Sequence, residues 1–446
     1  MFKNSLCVCL AAACVAGLLV AAPAQATDWL MLLGTEPAGA GAPAKVFGLL
    51  QPTYQADASK STTAEPTRIG PNLQKQEQFQ LWRAMLGVRG VAYPIDSKVN
   101  YFVLAEFGTN AATDGGRYGE RTPVRLMDAS VTMNHIPGAR VRVGLFKTPG
   151  PEELLQAVPA MDYINFTDVS NQMMLERFPA GVNTYTTSPD HTAANGTAPL
   201  AANEASWTSS FGAARDMGLE VFDSFHRDDW THSYALMIGN GNGVQVQDSI
   251  ADGPDTYVYW ASEKVYGGAG IHQQGLKFFA WHQAGKRKVD LSDDGVVNPV
   301  SHERTRSGLG VRYRKGDWRL GAEYMVGKGM IFQGPEKPNF AIGPYQDLDG
   351  KANGYYLDVG YYVPNSKWQL DARYDQYNRS TEHQQLTVQY NTLTLGVNYH
   401  MNPKSRITVN YLMRDDKAKD PGMPAAAQQA LKDIGDRLAV QLTLLY

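Results

Sequence analysis

The stretch Trp368-Gln369-Leu370-Asp371-Ala372-Arg373-Tyr374-Asp375-Gln376-Tyr377 decides the fold class. Side chains alternate across an extended strand with period two. Trp368, Leu370, Ala372 and Tyr374 therefore share one face, and Gln369, Asp371, Arg373, Asp375 and Tyr377 share the other. A helix would scatter both sets around its axis. A strand this charged on one side and this apolar on the other separates an oily phase from a wet one.

The same split recurs. At Thr305 to Lys315, Ser307, Leu309, Val311 and Tyr313 oppose Arg306, Gly308, Gly310, Arg312 and Arg314. At Gln78 to Gly90, Trp82, Ala84, Leu86 and Val88 oppose Arg83, Met85, Gly87 and Arg89. A soluble sandwich also alternates, but it turns its apolar face inward and has little use for aromatics at strand ends.

The connections separate the two architectures. Between Lys45 and Tyr446 about sixteen strands are linked alternately by short turns and long segments. The short links fall near Pro94-Ile95-Asp96, Ile136-Pro137-Gly138, Arg227-Asp228-Asp229, Tyr266-Gly267-Gly268, Lys315-Gly316-Asp317, Pro364-Asn365-Ser366 and Asn402-Pro403-Lys404. The long ones are Gly108 to Pro123, Pro149 to Ala214, Gly241 to Pro254, Gly285 to Arg304, Gly327 to Asn353, Asn378 to Leu386 and Arg414 to Asp436. Short turns on one side and long loops on the other are the habit of an outer-membrane barrel, and about sixteen strands enclose a lumen wide enough for water. The expected fold is all-β: a transmembrane antiparallel β-barrel with short periplasmic turns and long extracellular loops. Its last strand, Leu438 to Tyr446, would close against the first, Val46 to Gln55.

Composition agrees. Of 446 residues, 43% are apolar and only 19% charged, which excludes a disordered chain. Lys3, the apolar run Leu10 to Ala22 and the small-residue site Ala24-Gln25-Ala26 read as a signal peptide over residues 1–26. Residues 27–44 then form a periplasmic N-terminal segment and 45–446 the barrel. Past the signal no run approaches the ~20 apolar residues of a membrane helix, so a membrane location requires a closed barrel. Cys7, Cys9 and Cys14 all lie within the signal, which leaves the exported chain neither a disulfide nor a cysteine metal site. Without Lys3 the chain has 40 basic and 44 acidic residues, and that balance carries no electrostatic footprint for nucleic acid.

Several pieces, taken in order, resemble the phosphate-selective porin O and P family. They are Arg142-Val143-Gly144-Leu145-Phe146-Lys147-Thr148-Pro149 with Leu175-Glu176-Arg177, Arg215-Asp216-Met217-Gly218, Tyr234 to Gly243, and Leu320-Gly321-Ala322-Glu323-Tyr324. Gly354-Tyr355-Tyr356, Asp371 to Asp375, and Thr394-Leu395-Gly396-Val397-Asn398-Tyr399 continue the series over most of the barrel region. The resemblance implies a 16-stranded outer-membrane channel, usually a homotrimer in lipid, that passes small anions by diffusion. Many members of that family are general porins.

In porins a loop at the position of Pro149 to Ala214 folds into the lumen and narrows it. Here it carries Glu152, Glu153, Asp162, Asp168, Glu176, Asp190 and Glu204 against Arg177 alone, a net charge of −6. A phosphate filter needs clustered Lys or Arg donors, and this loop lacks them. The wall leans the other way: Arg83, Arg89, Arg140, Arg142, Lys277, Arg306, Arg312, Arg314, Arg319, Arg373 and Arg406 have the lumen phase. They face Glu106, Asp128, Asp216, Glu220, Glu323, Asp358, Asp371 and Asp375. One reading is a polar wall held by cross-strand ion pairs, the other a specific anion track. Glu176-Arg177 is either a selectivity element or an anchor of the loop to the wall.

Trp82, Tyr101, Trp260, Trp281, Tyr313, Trp318, Tyr361, Trp368, Tyr399 and Tyr411 have outward phase and suit interfacial girdles better than a sugar track. Asp347-Leu348-Asp349-Gly350 lacks the further ligands of a calcium loop and reads as a surface turn. Gly239-Asn240-Gly241-Asn242-Gly243 lacks the helix and Lys of a phosphate-cradling loop. No His-Glu-x-x-His pair, Gly-x-Ser-x-Gly elbow or Cys-x-x-Cys-His motif occurs, so no metal, cofactor or catalytic group is expected. The expected function is a porin for passive diffusion of small hydrophilic solutes or inorganic anions of the phosphate type. The alternative is a barrel sheath around a periplasmic cytochrome, prompted by Trp29-Leu30-Met31-Leu32-Leu33 ahead of the first strand. A barrel enzyme such as a Ser/His lipase is the third.

Overall fold

Alternation like that of Trp368 to Tyr377 produces sixteen barrel strands in the computed structural model. It describes residues 43–60, 77–92, 94–110, 124–174, 214–241, 243, 251–268, 273–289, 300–332, 346–347, 349–379, 381, 387–419, 421 and 425–446. The strands are β1 (Lys45–Asp57), β2 (Glu77–Ala92), β3 (Asp96–Glu106), β4 (Arg125–Ile136), β5 (Ala139–Lys147), β6 (Arg215–Arg227), β7 (Trp230–Gly239) and β8 (Asp255–Gly267). They continue as β9 (Gln274–Val289), β10 (Val300–Lys315), β11 (Trp318–Lys328), β12 (Lys351–Tyr362), β13 (Trp368–Arg379), β14 (Val388–Asn402), β15 (Ser405–Arg414) and β16 (Arg437–Leu445).

Each strand pairs antiparallel with the next, and β16 returns to β1, with Leu49 opposite Leu445 and Asp57 opposite Arg437. Closure of the terminal strands is as expected. It removes every free edge, so the backbone groups of a membrane-embedded sheet find partners within the sheet. Among the described residues no helix is long and apolar enough to cross a membrane.

The two faces differ as the alternation requires. Leu309 (62% exposed), Ile238, Leu357 and Leu395 point outward. Inside, Gln51 and Thr53 are buried yet bonded: Gln51 Nε2 donates to Thr443 Oγ1 (3.1 Å), Gln441 Nε2 to Thr53 Oγ1 (2.9 Å) and Arg83 Nη1 to Gln51 Oε1 (2.9 Å). Such cross-strand bonds offset the cost of burying polar groups. On the turn side, Trp318 packs on Tyr361 (4.7 Å between centroids) and Trp368 on Tyr399 (4.6 Å). Tyr101, Trp260, Tyr313 and Tyr411 lie on the outward face too.

Two of the expected girdle residues turn inward instead. Pro52 has no N–H for the ladder, and the β1–β2 register slips there, with Gln51 opposite Arg83 and Pro52 opposite Leu81. The extra residue on β2 is Trp82, which is 4% exposed and packs with Ile164 and Ala439. Trp281 is 3% exposed because its true outward neighbours are Phe278, Ala280 and His282. Two boundaries also change. The β9–β10 ladder continues to Val289 opposite Val300, so much of Gly285 to Arg304 is strand. Residues 58–76, between β1 and β2, form an eighth long connection that the loop spacing did not mark. Residues 1–42, which include the expected signal and the Trp29 to Leu33 run, lie outside the described residues, as do Glu176 and Arg177.

Candidate functional site

After β5 the chain turns into the lumen. Lys147 starts the turn: its Nζ donates to the carbonyls of Leu154 (2.8 Å), Leu155 (3.4 Å) and Gln156 (2.6 Å). These close the short helix α1 (Glu152–Leu155), whose last carbonyls have no partner of their own. Lys147 thereby folds Pro149 to Gln156 back across the wall, which gives the Gly-Leu-Phe-Lys-Thr-Pro piece a physical task. A single-turn 3₁₀ segment (Val158–Ala160) and a π turn (Val169–Met174) carry the inserted segment onward through the lumen.

Carboxylates of the inserted segment meet arginines of the wall. Glu152 is clamped by Lys277 Nζ (2.6 Å) and Arg312 Nη1 (2.8 Å). Burial pushes the Glu152 carboxyl up, but those two cations outweigh it and bring it down to about 2. Glu153 binds Arg373 Nη1 (2.8 Å) and accepts from Thr167 Oγ1 (2.6 Å), tying the segment to itself. Asp162 meets Arg319 Nε (3.1 Å), and burial there is outweighed by Arg319 and Arg406, so this carboxyl too is held low. Arg319 also reaches Asp371 (2.9 Å) and Asp358. Asp168 accepts from Thr392 Oγ1 (2.8 Å), and its N–H donates to Asp375 Oδ2 (2.9 Å). Arg306 donates to the carbonyls of Met173 (2.9 Å), Gly329 (2.9 Å) and Met330 (3.1 Å), and Arg406 to that of Met161.

The remaining wall cations pair mainly across strands or stack. Arg142 faces Glu220 (3.3 Å) and lies over the Phe222 ring, and Arg140 faces Asp223 (3.5 Å). Arg83 lies over Trp82, Arg314 lies 4.7 Å over the Tyr362 ring, and Arg89 lines a separate cavity beside Phe47. The wall cations thus pair in part with carboxylates of other strands and in part with the inserted segment, a partner far away in sequence. Glu323, expected among the acids that face the wall cations, has partners of another kind. Buried, it accepts from Trp281 Nε1 (2.7 Å), Tyr356 Oη (2.9 Å) and the Glu152 N–H (3.2 Å), fixing the start of α1.

Two spaces result. A gap of about 40 Å³ lies between Glu152, Glu153 and Asp162 of the segment and Arg312, Arg319 and Arg373 of the wall. On the turn side it widens to a vestibule of about 610 Å³. There Arg312, Arg314, Arg319, Lys367, Lys404 and Arg406 face a single carboxylate, Asp162. Lys367 and Lys404 stand in turns, where no strand phase could have marked them. Asp349 sits at the surface, 3.4 Å from His302, as part of an ordinary turn.

The family model for phosphate-selective porin O and P matches residues 68–432. No curated protein matches the chain. Among solved structures, OmpF of Salmonella typhi in complex with daunomycin is 12% identical, covering 91% of this chain and 98% of that one, with a TM-score of 0.55. The outer membrane channel DcaP of Acinetobacter baumannii is 10% identical, covering 93% and 100%, with a TM-score of 0.51. The anion-selective porin from Comamonas acidovorans is 13% identical, covering 90% and 98%, with a TM-score of 0.50. At such identities these likenesses speak for the barrel alone, while the family match spans most of the chain. The chain belongs to the phosphate-selective porin O and P family.

Proposed function

We propose that this outer-membrane channel passes small hydrophilic anions, phosphate among them, by diffusion. The observation that carries the reading is the vestibule, where six basic side chains face one carboxylate. Rings of positive side chains draw anions into a pore, and a wide vestibule holds them weakly enough for release. Low-dielectric walls focus that field on entering ions. The gap beyond it is nearly charge-balanced by the inserted carboxylates, which argues for a general anion preference over a dedicated phosphate filter. The anion-selective porin from Comamonas acidovorans shares the barrel. In this reading residues 1–26 are a cleaved signal, 27–44 a periplasmic segment, 45–446 the barrel with its constricting loop at 149–214, and the working unit a homotrimer.

The test is a planar-bilayer recording under a KCl gradient, followed by added phosphate. A reversal potential of anion-selective sign, with partial phosphate block, is expected. A cation-selective current would overturn the reading, and a pore-free barrel that co-purifies with a cytochrome would replace it with the sheath.

A further inference from the structure

Next to the vestibule, along β1 to β3, the lumen wall departs from its polar habit. Phe47 and Leu49 of β1, Met85 of β2, and Phe102 and Leu104 of β3 all point inward. Phe47 and Phe102 lie with ring centroids 5.3 Å apart. Across from them the inserted segment presents Val158 and Pro159. Between wall and segment remains a cavity of about 230 Å³.

Basic side chains outnumber carboxylates around this cavity, although Arg215 pairs with Asp128 (3.0 Å) and Lys147 is bonded to carbonyls of the inserted segment. Arg89, Arg142, Lys147 and Arg215 line it against Asp128, with Glu220 behind Arg142. Pro159 and Leu445 line both this cavity and the vestibule, so the two spaces adjoin. A purely inorganic anion gains nothing from an apolar shelf. A ligand with an apolar body and one negative head gains from both parts.

We propose that this cavity is a binding subsite for amphiphilic organic anions, aromatic carboxylates or carboxylates bearing a chain of several carbons, whose apolar body lies between Phe102 and Val158 with the carboxylate toward Arg89. The volume is smaller than the roughly 300–1,000 Å³ of drug-sized sites, and an apolar cavity of about 150 Å³ is already known to admit benzene. One ring or a chain of several carbons therefore fits. The proposal rests on the anion reading of the channel for how such ligands arrive.

The test compares benzoate, acetate and benzyl alcohol as blockers of chloride current through single channels. Benzoate is expected to half-block at a concentration at least tenfold below acetate, with benzyl alcohol far weaker. V158S and F47S, on opposite sides of the cavity, should each remove most of that advantage without moving the acetate value. R89Q should weaken benzoate and leave benzyl alcohol unchanged. Equal potency of benzoate and acetate in a channel that remains anion-selective would overturn the subsite and leave the anion reading standing. A benzoate advantage in a channel without anion selectivity would keep the subsite and remove the reading beneath it. Equal block by benzyl alcohol and benzoate would also overturn the proposal, since the cations would then play no part.

Discussion

Replacing Glu152 with Gln keeps the side chain's shape and removes its charge from between Lys277 Nζ (2.6 Å) and Arg312 Nη1 (2.8 Å). Lys277 is 4% exposed, so the variant leaves a buried ammonium without its partner. Breaking a buried pair on one side costs about 3–5 kcal/mol. A second route to the magnitude is the carboxyl itself, held at about 2 against an ordinary 4.5, a difference equivalent to about 3 kcal/mol. The agreement implies that the attachment of α1 weakens by roughly a hundredfold at this bridge. The Glu153–Arg373 pair and the Lys147 bonds remain, so the segment stays in the lumen but is held less tightly. E152Q should therefore show a larger, noisier open-channel current at pH 7 and a reversal potential shifted toward anions, because Lys277 and Arg312 are unmasked beside the gap. The sign of the pH effect follows from the depressed carboxyl. The bridge contributes fully above about pH 4.5, its contribution declines as pH falls, and it is gone below about 2. Wild-type current controlled by this bridge should thus be flat from pH 7 to 5, and acid approaching pH 2 should imitate E152Q. An E152Q channel with wild-type conductance and reversal potential would refute the electrostatic clamp.

Three further outcomes follow from the same geometry. Asp57 Oδ2 lies between Arg414 Nη2 (2.7 Å) and Arg437 Nη2 (2.8 Å), all buried at the loop end of the closing seam, so D57N should destabilise the barrel by about 3–5 kcal/mol, read as a lower temperature for loss of the compact band on heated gels. Gly144 has φ +126°, and a Cβ there would lie 2.2 Å from the Ala129 carbonyl oxygen, so G144A should yield little folded barrel in refolding assays. The double variant K367E/K404E replaces two vestibule cations with carboxylates and should move the reversal potential toward cations with the fold intact; an unmoved potential would place selectivity elsewhere.

What the sequence disclosed and what it hid divide along physical lines. The outward phase of Trp368, Leu370 and Tyr374 was legible because lipid imposes one rule on every residue of a face. Trp82 escaped that rule because the cause of its inward turn, Pro52, sits on the neighbouring strand. Trp281 escaped it because its partner Glu323 is 42 positions away, and only pairing through β10 to β11 brings the indole to the carboxylate. The acidity of Glu152 and Glu153 was equally plain, but their cations Arg312 and Arg373 lie 160 and 220 positions onward. Composition disclosed that loop and wall have opposite signs. Only the folded path discloses where they cancel.

That location matters more than the totals. The described part of the inserted segment, residues 149–174, has four carboxylates and no Lys or Arg, and Glu152, Glu153 and Asp162 are spent on wall cations at the gap. Beyond Asp162 toward the turns the described lining of the vestibule holds six basic side chains and one carboxylate, so a positive field persists there even with Arg312 and Arg319 paired at the gap. Charges facing wide water are screened over about 10 Å at 0.1 M salt and about 3 Å at 1 M, whereas the buried pairs at the gap are screened much less. Anion selectivity should therefore be strong in dilute KCl and fall steeply by 1 M. A filter built at the gap would instead keep its selectivity across that range. Reversal potentials measured at a fixed concentration ratio from 0.05 to 1 M KCl distinguish the two, and a salt-independent value would move the selective element from the vestibule into the constriction.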